Sequence, residues 1–216
     1  MSFSMDVKEE LSRQLSNARH CLLAELAAIL SFEGQLISSK SGYYIRIQTE
    51  NLVTARKYFT LIRKTFNINI DVSVKTNIAS RKKRTYVLIV RRQNDVDRIL
   101  QATKLSGSIS PDQAKAEKGG NIIIMRLGLS EPEITQNSCC KRSFIRGAFL
   151  SSGSMSNPKK AYHLEFDVPD LDKAQQLKEL ILAFHIDAKI VRRKNSYVVY
   201  IKEGSQIVDL LNVMEA

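Results

Sequence analysis

Apolar positions along the chain follow two rhythms, and the rhythms alternate in a fixed order. From Ala18 to Phe32, Leu22, Leu26, Ile29 and Leu30 recur at helical spacing, and Gly34 stands where a helix would stop. Tyr43-Tyr44-Ile45-Arg46-Ile47-Gln48 alternates with a period of two, which predicts a strand. Helical spacing returns over Leu52 to Phe66, with Leu61 and Ile62 on the apolar side. Asn69 to Lys75 and Thr85 to Arg91 read as a hairpin, and Asp95 to Leu100 as a short closing helix. The same order then recurs. Ser138 to Ser151 predicts a helix carrying Phe144, Ile145, Ala148 and Phe149, stopped near Gly153. Tyr162 to Asp167 alternates as a strand, and Leu171 to His185 predicts a helix with Asp170 as its N-cap. Ala188 to Arg193 and Tyr197 to Lys202 form a second hairpin, and Ser205 to Leu211 a second closing helix.

The recurrence extends to residue identity. An offset of 119 pairs Cys21 with Cys140, Gly34 with Gly153, Tyr43 with Tyr162, Leu52 with Leu171 and Ala55 with Ala174. In the hairpins the offset drops to 111, pairing Tyr86 with Tyr197 and Val87 with Val198, so the first copy carries an eight-residue insertion around Asn77 to Arg84. Each copy reads αββαββα. Hairpins and helices without βαβ crossovers predict an α+β fold. The first repeat occupies residues 1–100 and the second 138–216, and the two are expected to pack as one domain. The linker, 101–137, holds Gly107, Pro111, Gly119-Gly120 and Pro132, so much of it reads as loop. Ile122 to Leu127 has the apolar run of one further strand.

Composition narrows the chemistry. Of the 216 residues 44% are hydrophobic and 25% charged, as in a soluble globular protein. No apolar run approaches the roughly 20 residues of a membrane span, and Met1 to Arg13 carries three acids and no secretory core. Three cysteines, Cys21, Cys139 and Cys140, form no regular framework, which fits a reducing cytoplasm. No C-x-x-C spacing occurs and the histidines are His20, His163 and His185, so neither a structural zinc site nor any other metal or cofactor is expected. His163 and His185 lack a partnered nucleophile and read as structural. Cys139-Cys140 opens a helix, where a thiol's pKa can fall; the matching place of Cys21 favours packing instead. The chain has no phosphate loop and no nucleophile elbow.

Net charge is +11, which favours anionic partners, nucleic acid before membrane. The excess is uneven: residues 1–100 hold 17 Lys/Arg against 9 Asp/Glu, and residues 101–216 hold 16 against 13.

Leu26-Ala27-Ala28-Ile29-Leu30-Ser31-Phe32-Glu33-Gly34 resembles the LAGLIDADG motif of homing endonucleases, and Ile145-Arg146-Gly147-Ala148-Phe149-Leu150-Ser151-Ser152-Gly153 is a more degenerate version. Other stretches resemble the WhiA family of sporulation and cell-division regulators. These are Met1-Ser2-Phe3-Ser4 with Lys8-Glu9-Glu10-Leu11, Ile47-Gln48-Thr49-Glu50-Asn51, Cys139-Cys140-Lys141-Arg142-Ser143-Phe144-Ile145-Arg146-Gly147-Ala148-Phe149-Leu150, Gly153-Ser154 with Asn157-Pro158, and Tyr162-His163-Leu164-Glu165. The ending Leu210-Leu211-Asn212-Val213-Met214 fits as well, so the resemblance spans the chain. It implies two pseudo-symmetric LAGLIDADG homing-endonuclease-like repeats forming a saddle. It also implies a role in sporulation and cell division through DNA binding and transcriptional control. Family members continue into a helix-turn-helix domain. No such helix pair remains unassigned up to Ala216, so the chain is expected to correspond to the N-terminal part.

In LAGLIDADG nucleases the motif helices pack closely about the pseudo-two-fold axis. Small residues at helical spacing suit that contact: Ala24, Ala28 and Ser31 in one copy, Ser143 and Gly147 in the other. The acid before each last motif glycine would hold a divalent metal at the scissile phosphates. Glu33 occupies that place in the first copy and Ser152 in the second, so the pair is broken and Glu33 reads as vestigial.

Double-stranded DNA is the expected partner, with other regulatory or division proteins beside it. Two basic clusters fall at matching places of the repeat. They are Arg81, Lys82, Lys83, Arg84, Arg91 and Arg92 in the first hairpin, and Lys189, Arg192, Arg193 and Lys194 in the second. Arg46 and Gln48 alternate on a strand and could meet bases, whereas their counterparts Glu165 and Asp167 would repel phosphate. The expectation is a monomeric, non-catalytic, cytoplasmic and nucleoid-associated DNA-binding regulator. Two alternatives stay open: a metal-dependent endonuclease with residual activity through Glu33, and a protein-interaction module without DNA binding of its own.

Overall fold

The computed structural model describes residues 3–77, 83–105, 115–116 and 122–216. In chain order the elements are α1 (Phe3–Arg13), α2 (Arg19–Glu33), β1 (Gln35–Ser39), β2 (Gly42–Thr49), α3 (Leu52–Phe66), β3 (Asp71–Asn77), β4 (Lys83–Val90) and α4 (Gln93–Ala102). They continue with β5 (Lys115–Ala116), β6 (Ile122–Arg126), a 3-10 turn at Pro132–Thr135, α5 (Ser138–Ser152), β7 (Gly153–Met155) and β8 (Leu164–Val168). The chain closes with α6 (Leu171–Leu182), β9 (Lys189–Arg193), β10 (Ser196–Ile201) and α7 (Gly204–Met214). From α2 to α4 and from α5 to α7 the order is αββαββα twice, in an α+β fold.

Among the described residues two antiparallel sheets result. One runs β3-β4-β2-β1-β6-β5 and the other β7-β8-β10-β9. The linker therefore contributes to the first sheet, because β6 pairs with β1 from Gln35↔Arg126 to Ser39↔Ile122. Alternation along the strands sorts the faces. Ile45 and Ile47 of β2, Leu88 and Val90 of β4, and Leu164, Phe166 and Val168 of β8 enter one continuous core with the helices of both repeats. The residues between them, Arg46 and Gln48 in β2 and Glu165 and Asp167 in β8, lie on the outer faces.

Helix ends follow local chemistry. Asn51 caps α3 by accepting from the Val53 and Thr54 amides, and Asp170 caps α6 by accepting from the Lys173 amide. The helix predicted to His185 ends at Leu182, because His185 takes a left-handed φ of 61°. Gly34 does end α2, but in an extended conformation with φ −70° and not a left-handed one. Glycine is needed there for space, since a Cβ would lie 2.4 Å from the Leu30 carbonyl oxygen.

The repeat pattern does not include α1. Phe3, Val7 and Leu11 recur every four residues, and Val7 and Leu11 are buried against the core. The helix packs on α3, α5 and β7 and places the Lys8 ammonium 3.1 Å from the Leu150 carbonyl.

Candidate nucleic-acid interface

The central element is the contact of α2 with α5, the most extensive between any two helices. Ala24, Ala28, Ser31 and Ser143 are buried. At Gly147 a Cβ would lie 2.4 Å from the Glu25 carbonyl oxygen and 3.1 Å from the Ala28 Cβ, so the helices touch backbone to backbone. Ser31 donates its hydroxyl to the Gly128 carbonyl at 2.7 Å, outside the helix pair. A buried charge network pins the same contact. The Glu25 carboxylate meets Lys57 Nζ at 3.0 Å and Arg146 Nη2 at 3.2 Å, and Arg146 Nη1 reaches Glu215 at 2.7 Å.

The C-terminal end of this pair opens on a cleft of about 370 Å³, lined by Glu33, Gln35, Gln48, Arg126, Asp167 and Asn195 among others. Both sheets contribute. Glu33 accepts a hydrogen bond from the Tyr58 hydroxyl at 2.8 Å, and Ser151 Oγ lies 3.3 Å from that hydroxyl. Burial pushes the Glu33 carboxyl up to about 7, against the Tyr58 hydrogen bond and the Lys8 charge, which both favour the ionised form. The same burial lowers the Lys8 ammonium. Ser152 donates its hydroxyl back to the Ala148 carbonyl at 3.0 Å. The matching position in the second repeat thus spends its polar atom on its own helix.

The outer faces differ in charge. On the first sheet the ladder places Arg46, Gln48 and Lys75 on one face with Arg126, opposed by Asp71. Arg46 donates to the Gln35 side chain at 3.0 Å, and Lys75 and Arg126 are exposed. Arg91 is paired with Asp71 at 2.5 Å and sits over the Tyr44 ring. Arg84 is exposed but alternates onto the helix-side face, and Arg92 is exposed at the start of α4. Arg81 and Lys82 lie outside the described residues; of Lys83 only its place in β4 is described.

On the second sheet, Glu165 accepts from Arg193 at 3.2–3.3 Å and hydrogen-bonds His163 at 2.9 Å. Burial of Glu165 is outweighed by these partners, and its carboxyl is held below the ordinary range. Lys189 pairs with Asp187 at 2.8 Å. Arg192 alternates onto the opposite face from Lys189 and Arg193, while Lys194 is exposed in the hairpin turn at φ 46°. The two basic clusters are therefore not equivalent. In the second, Lys189 and Arg193 are paired with Asp187 and Glu165, a pairing that no sequence pattern displayed.

Comparison with known proteins places this geometry. The WhiA N-terminal LAGLIDADG-like domain matches residues 19–106, and the WhiA LAGLIDADG-like domain matches residues 141–216. The "Probable cell division protein WhiA" of Lachnoclostridium phytofermentans is 51% identical across 100% of the chain, which covers 66% of that relative. The chain belongs to the WhiA family. The relative of the same name from Alkaliphilus oremlandii is 41% identical over the whole chain, which covers 65% of its length. The chain thus spans about two thirds of the WhiA proteins it matches. Full-length DUF199/WhiA from Thermatoga maritima shares the fold, with a TM-score of 0.72 at 22% identity over 99% of this chain and 62% of that one. The homing endonuclease I-DmoI, solved in complex with DNA and Mn, superposes with a TM-score of 0.60 at 13% identity, over 92% of this chain and 99% of the enzyme.

One group in this WhiA chain escaped the sequence reading. At the N-terminal end of the same helix pair, His20, Cys21, Cys139 and Cys140 converge, with one donor atom from each lying within 4.8 Å of all the others. Among the described residues this is the one cluster of three or more metal-ligating side chains. No C-x-x-C announces it, because its halves lie 119 residues apart. The signal present was the offset itself, which aligns His20 with Cys139 and Cys21 with Cys140.

Proposed function

We propose that this chain is the non-catalytic, DNA-associated part of a regulator of bacterial sporulation and cell division that acts on transcription. The observation carrying this reading is the contrast at the helix pair. Its intimate packing is kept, while the residues that would hold metal are otherwise engaged. Cleavage needs two ionised carboxylates facing a hard cation. The Glu33 carboxyl, pushed up to about 7 by burial, accepts from Tyr58, and Ser152 is a hydroxyl turned to Ala148.

DNA contact rests on the first repeat. Arg46, Gln48, Lys75 and Arg126 form its outer face, with Arg84 and Arg92 at the margins; Arg81, Lys82 and Lys83, cations of the same sequence cluster, join them in this reading. The fold shared with a DNA-bound homing endonuclease supports a duplex as ligand. The second outer face, where Arg193 and Lys189 are paired with Glu165 and Asp187 and Asp167 is left over, suits a protein partner or a neighbouring domain better than phosphate. Lys194, exposed in the hairpin turn, adds a minor contact at its rim, and Arg192 stands on the other face. The two repeats act as one monomeric, nucleoid-associated unit, with residues 101–137 as the connection between them.

The rival reading, a metal-dependent endonuclease, draws on Glu33 and Asp167 lining the same cleft. Binding itself is tested by fluorescence anisotropy of a labelled duplex titrated with the chain at rising salt. Affinity is expected to fall steeply with salt, as phosphate neutralisation releases counterions. Absence of binding even at low salt would instead favour a pure protein-interaction module.

A further inference from the structure

The first turns of α2 and α5 bring four soft donor groups to one point. Cys21 and Cys140 are buried, Cys139 and His20 are exposed, and Cys139 Sγ lies 3.4 Å from His20 Nε2. We propose that His20, Cys21, Cys139 and Cys140 form a structural, tetrahedral zinc site that clamps the N-terminal ends of the two central helices together. Three thiolates and one imidazole are a donor set that closed structural zinc sites use. Zn–S bonds of about 2.3 Å and a Zn–N bond of about 2.0 Å require donor separations of about 3.4–3.8 Å. The Cys139–His20 edge already has that length, and the widest separation permitted by 4.8 Å closes with a shift of about 1 Å.

Two further observations fit this centre. Its ligands come as two repeat-related pairs, so the cation would sit near the pseudo-two-fold axis, with two ligands from each helix. Neither Ala18 nor Asn137 caps its helix with a side chain. The positive ends of both helices therefore face the cluster, matching the net negative charge of three thiolates and an imidazole around Zn2+. Ligands 119 residues apart also make the metal a cross-link between repeats, so its binding energy becomes folding energy. The zinc site does not depend on whether the chain binds DNA.

The test is elemental analysis of the full chain purified under reducing conditions from zinc-supplemented cells. One zinc per chain is expected, with a melting temperature that falls on chelation and recovers with Zn2+. His20→Ala and Cys139→Ser alter exposed groups and spare the core. Each should weaken zinc binding on the order of 100-fold or more, beyond the loss from an outer-shell partner. Replacement by Co2+ should give a thiolate-to-cobalt charge-transfer band and the strong visible bands of a tetrahedral ion. Zinc content unchanged by both variants would overturn the proposal. So would metal-free chain whose melting temperature ignores added zinc, or a Cys21–Cys140 disulfide in place of the metal.

Discussion

Replacing Glu33 by glutamine tests the link between burial and lost chemistry. The folded carboxyl titrates at about 7, raised from 4.5 by burial in spite of Tyr58 and Lys8. Below pH 4.5 the folded and unfolded chains both hold the proton, and the group contributes nothing to the pH dependence. Between pH 4.5 and 7 the unfolded chain releases it and the folded chain keeps it. Stability must fall across that window at about 1.4 kcal/mol per pH unit, or about 3 kcal/mol in all, and level off above 7. Glu33→Gln keeps an oxygen to accept from Tyr58 and removes the titration. Urea unfolding at intervals from pH 4.5 to 8 should therefore show wild type losing stability relative to the variant, with Glu33→Gln the more stable of the two at pH 8. Parallel curves for the two proteins across this range would refute the reasoning. They would mean that Glu33 is ionised at neutral pH and free to hold a cation.

Other perturbations probe the scaffold and the interface. Gly147→Val forces side-chain atoms into the Glu25 backbone and should cost about 1–3 kcal/mol or more of stability by urea unfolding, while a cost near zero would mean that the helices are not in backbone contact. Glu25→Ala removes the carboxylate partner of buried Lys57 and one of the two on Arg146, for an expected loss of about 3–5 kcal/mol; a loss under about 1 kcal/mol would show that these charges reach water. Arg46→Ala with Arg126→Ala should weaken duplex binding at low salt and flatten the salt dependence by about one unit for each phosphate left unneutralised, whereas Arg193→Ala, already paired with Glu165, should change little. Equal effects from the two repeats would contradict the asymmetric interface.

The repeat and its αββαββα order were legible because each half must bury one face of every helix and strand, and that requirement writes periodicity into the sequence. Small residues at Ala24, Ala28 and Gly147 announced close helix packing for the same reason. The helix α1 has an equally plain Phe3-Val7-Leu11 stripe, but it stands outside the repeat and had no counterpart to reveal it. Less legible was everything that depends on partners distant in sequence. Nothing along the chain shows that Tyr58 takes the Glu33 carboxyl, that Asp71 and Glu165 neutralise Arg91 and Arg193, or that Lys173 feeds its ammonium to the Ser31 and Leu127 carbonyls at 2.7 Å. The convergence of His20 and Cys21 with Cys139 and Cys140 belongs to the same class. It exists only because two helices start side by side.

Supercoiled plasmid incubated with Mn2+, at chain concentrations sufficient to retard it fully, puts the central claim to one measurement. A scaffold that kept its helix pair and gave up its paired carboxylates should retard the plasmid and leave it supercoiled. Manganese-dependent nicking that disappears in Glu33→Ala would contradict that account and make the chain a nuclease.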